Sequence, residues 1–248
     1  MKIDILTLFP EMFKGPLTQS ILGRAQEKGL IKVNCVDIRS FSDCKHKKVD
    51  DKPFGGGAGM VMQASPVYKA IKSVGVVKKN AAYKNPLAKP LVIYMSPQGK
   101  SLNTALIKKL SLHKHLVLLC GHYEGIDERA LNWVDMEVSV GDYVLTGGEI
   151  AAMALTDAVS RFIPGVVGEA ASVENDSFFN GLLDYPHYTR PAVFKGLKVP
   201  EVLLSGNHKK IQDWRKQQAL ERTKKRRPDI LGSSLKNLKS KQDNIKEQ

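Results

Sequence analysis

Val138 to Ala158 reads VSVGDYVLTGGEIAAMALTDA. Before it, MEVSV is a short apolar strand. The chain breaks at Gly141 and again at Gly147-Gly148. A helical pattern then runs through Ile150, Met153, Ala154, Val159 and Phe162. A strand, a polar glycine-rich loop and a helix, in that order, place backbone N–H groups at the mouth of a sheet. Glycines there let a ligand approach the main chain. A plain strand-to-helix turn would read the same way if the stretch stood alone.

It does not stand alone. Leu91 to Met95, LVIYM, is continuously apolar, as a strand covered on both faces should be. Ser96-Pro97-Gln98-Gly99 reads as a turn at its carboxyl end, and Ser101 as the cap of the helix LNTALIKKLSL. His115 to Cys120, HLVLLC, is another buried strand, and it opens into Gly121-His122-Tyr123-Glu124-Gly125. A short helix, Asp127 to Val134, follows. Three consecutive strand ends thus carry bendable loops: YMSPQG, CGHYEG and VGDYVLTGG. In an open α/β sheet such loops form the ligand crevice.

The rest of the first 161 residues alternates strands and helices. Lys2 to Leu8 is a strand ended by Pro10. Leu17 to Lys28 reads as a helix with Gly29 as its stop, and Ile31 to Ile38 as a second strand. Asp43 to Met62, DCKHKKVDDKPFGGGAGMVM, is basic, then acidic, then glycine-rich. It lacks the Gly-Lys-Ser/Thr of a P-loop. It reads either as a loop that folds around a polyanion or base, or as a solvated hairpin. Pro66 to Val74 begins a helix, and Lys78 to Lys89 is an exposed basic loop. Alternating strands and helices predict a parallel α/β sheet. The first strand is followed by TLFPEMF, without glycine, which argues against NAD, FAD and the commonest methyltransferase fold.

After Arg161 the composition shifts. Residues 162–176 carry Pro164, Gly165 and Gly168 without a clear period, and read as a flexible linker. Residues 177–248 form a small, helical, basic domain. Its long helix runs from Asn207 to Arg227 and ends in Lys224-Lys225-Arg226-Arg227. Asp176-Ser177 is placed to cap a short helix through Phe178 and Phe179.

The 248 residues carry a net charge of +13. A polyanion is the natural partner, nucleic acid before membrane. No apolar run is long enough to span a bilayer. MKIDILTLFPEMF lacks the form of a signal peptide, so a cytoplasmic location is expected. Cys35, Cys44 and Cys120 form no pair and no metal-ligand spacing, so no metal site is expected.

GDYVLTGGE, SPQG, CGHYEGIDER, SRFIPG, NDSF and LLDYPHYTRP occur in this order. Together they resemble the bacterial tRNA (guanine-N1)-methyltransferases of the SPOUT superfamily. The resemblance runs from LTLFPEMF to LERTKKRRPDIL. Asn175 stands where the family pattern has an acid and Ala151 where it has proline. The resemblance implies a deep trefoil knot toward the C-terminal end of the α/β domain, residues 1–161. It implies S-adenosylmethionine held largely through backbone groups of the three loops. In the first loop these are Tyr94, Met95, Ser96, Pro97 and Gln98. In the second they are Gly121, Tyr123, Glu124 and Gly125. In the third they are Val140, Gly141, Asp142, Tyr143, Val144 and Leu145, then Gly147, Gly148 and Ala151. Glu124 and Asp184 would face the methionine ammonium group.

The resemblance further implies a homodimer with the site at its interface. It implies methyl transfer to N1 of the guanosine just 3′ of the anticodon, position 37 of tRNA. Asp176 matches the family's base and Arg161 its cationic partner; each has an ordinary alternative, as a helix cap and a helix C-terminal cation. Magnesium is left open. A non-enzymatic RNA-binding protein and a SPOUT ribose 2′-O-methyltransferase remain alternatives.

Overall fold

A computed structural model describes residues 1–76, 85–168 and 176–231. The chain divides into two compact units, Met1–Gly168 and Glu169–Gln248. The exposed basic loop expected at Lys78 to Lys89 falls mostly outside the described residues, as does part of the expected linker, residues 169–175.

The first unit is built on a five-stranded sheet. Its strands are β1 (Lys2–Thr7), β2 (Lys32–Asp37), β5 (Leu91–Ser101), β6 (His115–Cys120) and β7 (Met136–Ser139), in the order β2-β1-β6-β5-β7. Every pairing is parallel. A two-residue antiparallel ladder, β3 (Asp50–Asp51) with β4 (Val61–Met62), lies outside it. The expected parallel α/β sheet is therefore present.

The apolar runs are explained by burial on both faces. Leu116, Leu118 and Cys120 of β6 join a core with Ile3, Ile5 and Ile93. Val117 and Leu119 join a second core with Leu6, Val92, Val67 and Ile71. Alternate residues of one strand point to opposite faces, so a strand covered twice has no polar phase. Helices α1 (Lys14–Thr18), α2 (Ser20–Glu27) and α5 (Glu149–Ser160) contribute to the first core. Helix α4 (Thr104–Ser111) joins them through Leu110, and α3 (Ala64–Ser73) covers the second.

One charge survives inside this sheet. Asp4 is fully buried on β1. Its carboxylate accepts from Asn34 at 3.1 Å, and lies 2.7 Å from both Lys2 Nζ and His115 Nε2. Burial pushes the carboxyl pKa up, but the bonds from His115, Lys2 and Asn34 outweigh it and hold the group below its ordinary 3.8.

Three local readings are corrected. Leu17 to Lys28 is not one helix: Gln19 is extended (φ −110°, ψ 163°) and Ser20 has φ +53°, which separates α1 from α2. Ser96-Pro97-Gln98-Gly99 does not end its strand. β5 continues to Ser101 through a bulge, in which Met95 and Lys100 both pair with Val138. Gly99 permits this, because a Cβ there would collide with the Val138 backbone. The cap of α4 is not Ser101 but Asn103, whose Oδ1 accepts from Leu106 N at 3.0 Å.

The second unit has less regular structure. Asp176 leads into turns rather than the short helix expected, and Phe178 has φ +73°. A small hairpin, β8 (Val193–Phe194) with β9 (Leu197–Lys198), precedes α6 (Glu201–Leu204) and α7 (His208–Arg226). Asn207 caps α7 by accepting from Lys210 N. Thr223 is buried on α7 and ties the turns to it, since its Oγ1 accepts from Leu183 N at 2.8 Å.

Candidate functional site

The bulged part of β5 and the loops after β6 and β7 surround a cavity of about 150 Å³. Each loop is shaped by bonds that can be traced to particular residues. In the β5 bulge, buried Ser96 accepts from Gln98 N at 3.2 Å, which turns the chain back. In the 121–125 loop, Gly125 N donates to His122 O at 3.2 Å. The same loop is fastened to the 60–62 segment. Glu124 N donates to Met60 O at 3.0 Å and Met62 N to Gly125 O at 2.9 Å. In the third loop, Ser139 Oγ accepts from Gly141 N at 3.2 Å and donates to Gly141 O at 3.0 Å.

The second and third loops are joined to each other. Gly148 N donates to Gly121 O at 2.9 Å, and His122 and Gly147 form an isolated bridge. Helix α5 starts at Glu149 at this junction. Glu149 is 2% exposed, and its Oε1 accepts from Thr7 Oγ1 at 2.8 Å. A carboxylate in the first turn of a helix also faces the positive end of the helix dipole.

The glycines meet protein here, which refines the sequence reading. A Cβ on Gly148 would lie 2.8 Å from Cys120 Cα. A Cβ on Gly121 would lie 2.7 Å from Tyr94 Oη. Both glycines are therefore needed to seat one loop on another. Tyr94 is pushed up to about 12 by burial, with Glu137 and Glu128 adding to it, so its hydroxyl stays neutral.

Most of the residues expected at the donor site line this one cavity. Of those in the first unit, only Gln98 and Asp142 do not. Val138 and Ser139 also line it and were not expected, while His122 and Thr146 lie inside the expected loops but were not singled out. His122 is the most informative. Its Nδ1 is buried without a hydrogen-bond partner, and its ring stands edge-on to Phe9 and Tyr123, each at 5.0 Å. Its place between Gly121 and Tyr123 was the available signal. The rim is apolar: Tyr143 is 57% exposed and Val144 82%.

The glycine-rich 55–59 segment reaches this site too. A Cβ on Gly59 would come within 2.5 Å of the Glu124 side chain. The Asp43 to Met62 stretch thus contains a short hairpin and also a wall for Glu124.

Arg161 occupies the C-cap of α5, where its N donates to Asp157 O at 3.2 Å. Asp176 and Asp184 belong to the second unit. They line one cavity of about 200 Å³ there, with Arg215 on its wall. The Asp184 carboxylate accepts from Tyr185 N at 2.7 Å and lies 2.7 Å from His187 Nε2. Among the described residues, no group of three or more His, Cys, Asp or Glu is placed to hold a metal ion. No described helix is long and apolar enough to cross a membrane.

A parallel α/β sheet with a small-ligand crevice outside the carboxyl ends of three strands defines the class of this protein. Its sequence narrows the class. A family model described as "tRNA (Guanine-1)-methyltransferase TrmD" matches residues 1–233. A tRNA (guanine-N(1)-)-methyltransferase of Endomicrobium trichonymphae is 66% identical over 231 residues, covering 93% of this chain and 99% of that protein. Proteins of the same name from Protochlamydia amoebophila and Carboxydothermus hydrogenoformans are 57% and 56% identical. The alignments cover 93% of this chain, with 100% and 87% of theirs. The chain belongs to the tRNA (guanine-1)-methyltransferase family.

Proposed function

We propose that this protein transfers the methyl group of S-adenosylmethionine to N1 of a guanosine in tRNA, the one immediately 3′ of the anticodon at position 37. The observation that carries the reading is the triple-loop crevice in a chain 66% identical, over 93% of its length, to a protein of that name. When bound, S-adenosylmethionine supplies an electrophilic sulfonium methyl group, which needs no metal for activation.

The residues present fit such a ligand. The crevice is lined by glycines of the second and third loops, and by His122, whose Nδ1 is buried without a hydrogen-bond partner. The neutral Tyr94 phenol and the exposed Tyr143 ring suit a planar base. Glu124 and Asp184 carry the charge opposite to an ammonium group.

Guanine N1 is protonated at neutral pH, so a base must remove that proton as the methyl arrives. Asp176 is assigned that role. Arg161 is assigned to the charge that develops on O6. We further assign the deep trefoil knot of the superfamily to the segment containing the three loops, and a cytoplasmic homodimer with a shared active site. These assignments rest on the resemblance.

Base-resolved mapping of tRNA treated with the protein and S-adenosylmethionine tests the proposal. N1-methylguanosine at position 37 is the expected product. Methyl groups on ribose 2′-oxygens would replace the reading with the 2′-O alternative. Tight tRNA binding without any methyl transfer would leave an RNA-binding protein.

A further inference from the structure

The second unit contains another cavity, of about 420 Å³, to which the reading above gives no role. The irregular stretch from Tyr185 to Arg190 forms one side of it. Leu203 of α6 and Ile211 of α7 provide an apolar side. Arg215 provides the polar wall.

Arg215 is held in an unusual state. Its guanidinium carbon lies 4.8 Å from the centroid of the Tyr185 ring, which fixes one face. Its Nε is buried and has no hydrogen-bond partner. A buried N–H donor without an acceptor costs stability, and such groups call for a specific explanation. An anionic oxygen brought by a ligand would complete it. Tyr188, also on the lining, is 48% exposed, with its centroid 6.4 Å from that of Trp214. An exposed aromatic face suits a second planar ring.

A nucleotide carries both an anionic oxygen and a planar ring. The surroundings favour one within a polymer. Helix α7 carries eight Lys and Arg residues against two acids, a field that attracts a phosphate backbone rather than a peptide carboxylate. Arg215 also lines the cavity that holds Asp176 and Asp184. A nucleotide in the larger cavity is therefore a near neighbour of whatever Asp176 faces.

We propose that this cavity is a second nucleotide pocket, which takes an unstacked nucleotide of the RNA strand near the target guanosine. Tyr188 stacks on its base, and Arg215 Nε donates to a phosphate oxygen. The proposal rests on the assignment of tRNA as substrate.

The test uses the full-length protein and labelled tRNA, with affinity read by fluorescence anisotropy. Tyr188→Ala and Arg215→Lys should each weaken tRNA binding by about tenfold, while Tyr188→Phe binds as the unmodified protein does. The Lys variant keeps the charge but lacks the Nε donor, so its loss separates the pocket from general attraction. S-adenosylmethionine affinity by calorimetry should not change in Tyr188→Ala, and circular dichroism should show both loss variants folded. A tRNA made abasic beside the target should bind the unmodified protein more weakly, and Tyr188→Ala should weaken it no further. If the unmodified protein binds tRNA and both loss variants bind equally well, the pocket assignment is overturned. If the unmodified protein does not bind tRNA, the substrate assignment falls, and the pocket with it.

Discussion

Asp176 and Asp184 line the same small cavity, yet they are expected to behave differently when changed. A proton acceptor acts chiefly in the transition state. Asp176→Ala should therefore lower the single-turnover rate by about 10²–10⁴-fold, with donor and tRNA affinity nearly intact. Asp184 is bonded to Tyr185 N and His187 in the ground state. Asp184→Asn should instead show itself mainly in donor affinity. Neither role was legible from residue chemistry, because an Asp-Ser pair before Phe-Phe looks like a helix cap. The resemblance supplied the roles, whereas the crevice loops were legible from strand ends and glycines alone. His122 lies inside an expected loop, but nothing in a sequence marks its ring nitrogen as one that will be buried without a partner. Asp4 makes a separate prediction. Its folded pKa lies below 3.8, so the native state binds its proton less readily than the unfolded chain. The stability from this cluster is complete above about pH 4 and is lost as pH falls through the folded value. Asp4→Asn should cost about 2–3 kcal/mol at neutral pH. It should also flatten the acid limb of a denaturation series measured against pH.

Among the elements, β5 and α7 show where sequence patterns mislead and where they suffice. Ser-Pro-Gln-Gly is a turn by composition. In the fold it is a bulge, because β7 offers the strand a partner on both sides of it. That partner, Val138, lies 43 residues beyond Met95 in the chain, beyond any local rule, and tertiary pairing overrides turn propensity. Helix α7 was legible from a helical pattern through Ile211, Trp214, Gln218 and Leu220, and the fold adds Asn207 as its cap. Its basic end needs a distinction that the sequence did not make. Lys224, Lys225 and Arg226 are exposed. Arg227 is engaged: its guanidinium donates to both Asp229 carboxylate oxygens and lies 5.6 Å from the Phe178 ring centroid. Replacing Lys224, Lys225 and Arg226 together with Ala should weaken tRNA binding. The slope of log affinity against log salt should flatten by up to about two to three units. Arg227→Ala should lower the melting temperature as well. An unchanged salt slope in the triple variant would return the run to a solvated helix end.

For the whole molecule, the prediction is a site shared between two copies. Gly141 has φ +155° and a Cβ there would press on the exposed Tyr143 ring, so Gly141→Val should distort the third loop and close the crevice; circular dichroism checks that the variant folds. Mixed dimers of Gly141→Val with Asp176→Ala should recover activity that neither homodimer has, because one of the two sites is then intact. A dead mixture, with mixed dimers verified by tagged pull-down, would refute the shared site. The sheet order has a consequence of another kind. β1 lies between β2 and β6, and Ile3 is paired with Leu116. More than a hundred residues must therefore leave the ribosome after β1 before its second neighbour exists. At about 5–20 residues per second this is an interval of roughly 5 to 20 seconds. During it, β1 presents an open apolar edge to anything in solution. Nascent chains arrested before His115 should accordingly be captured by chaperones and cut readily by protease within β1. Chains arrested after β6 has emerged should be protected there.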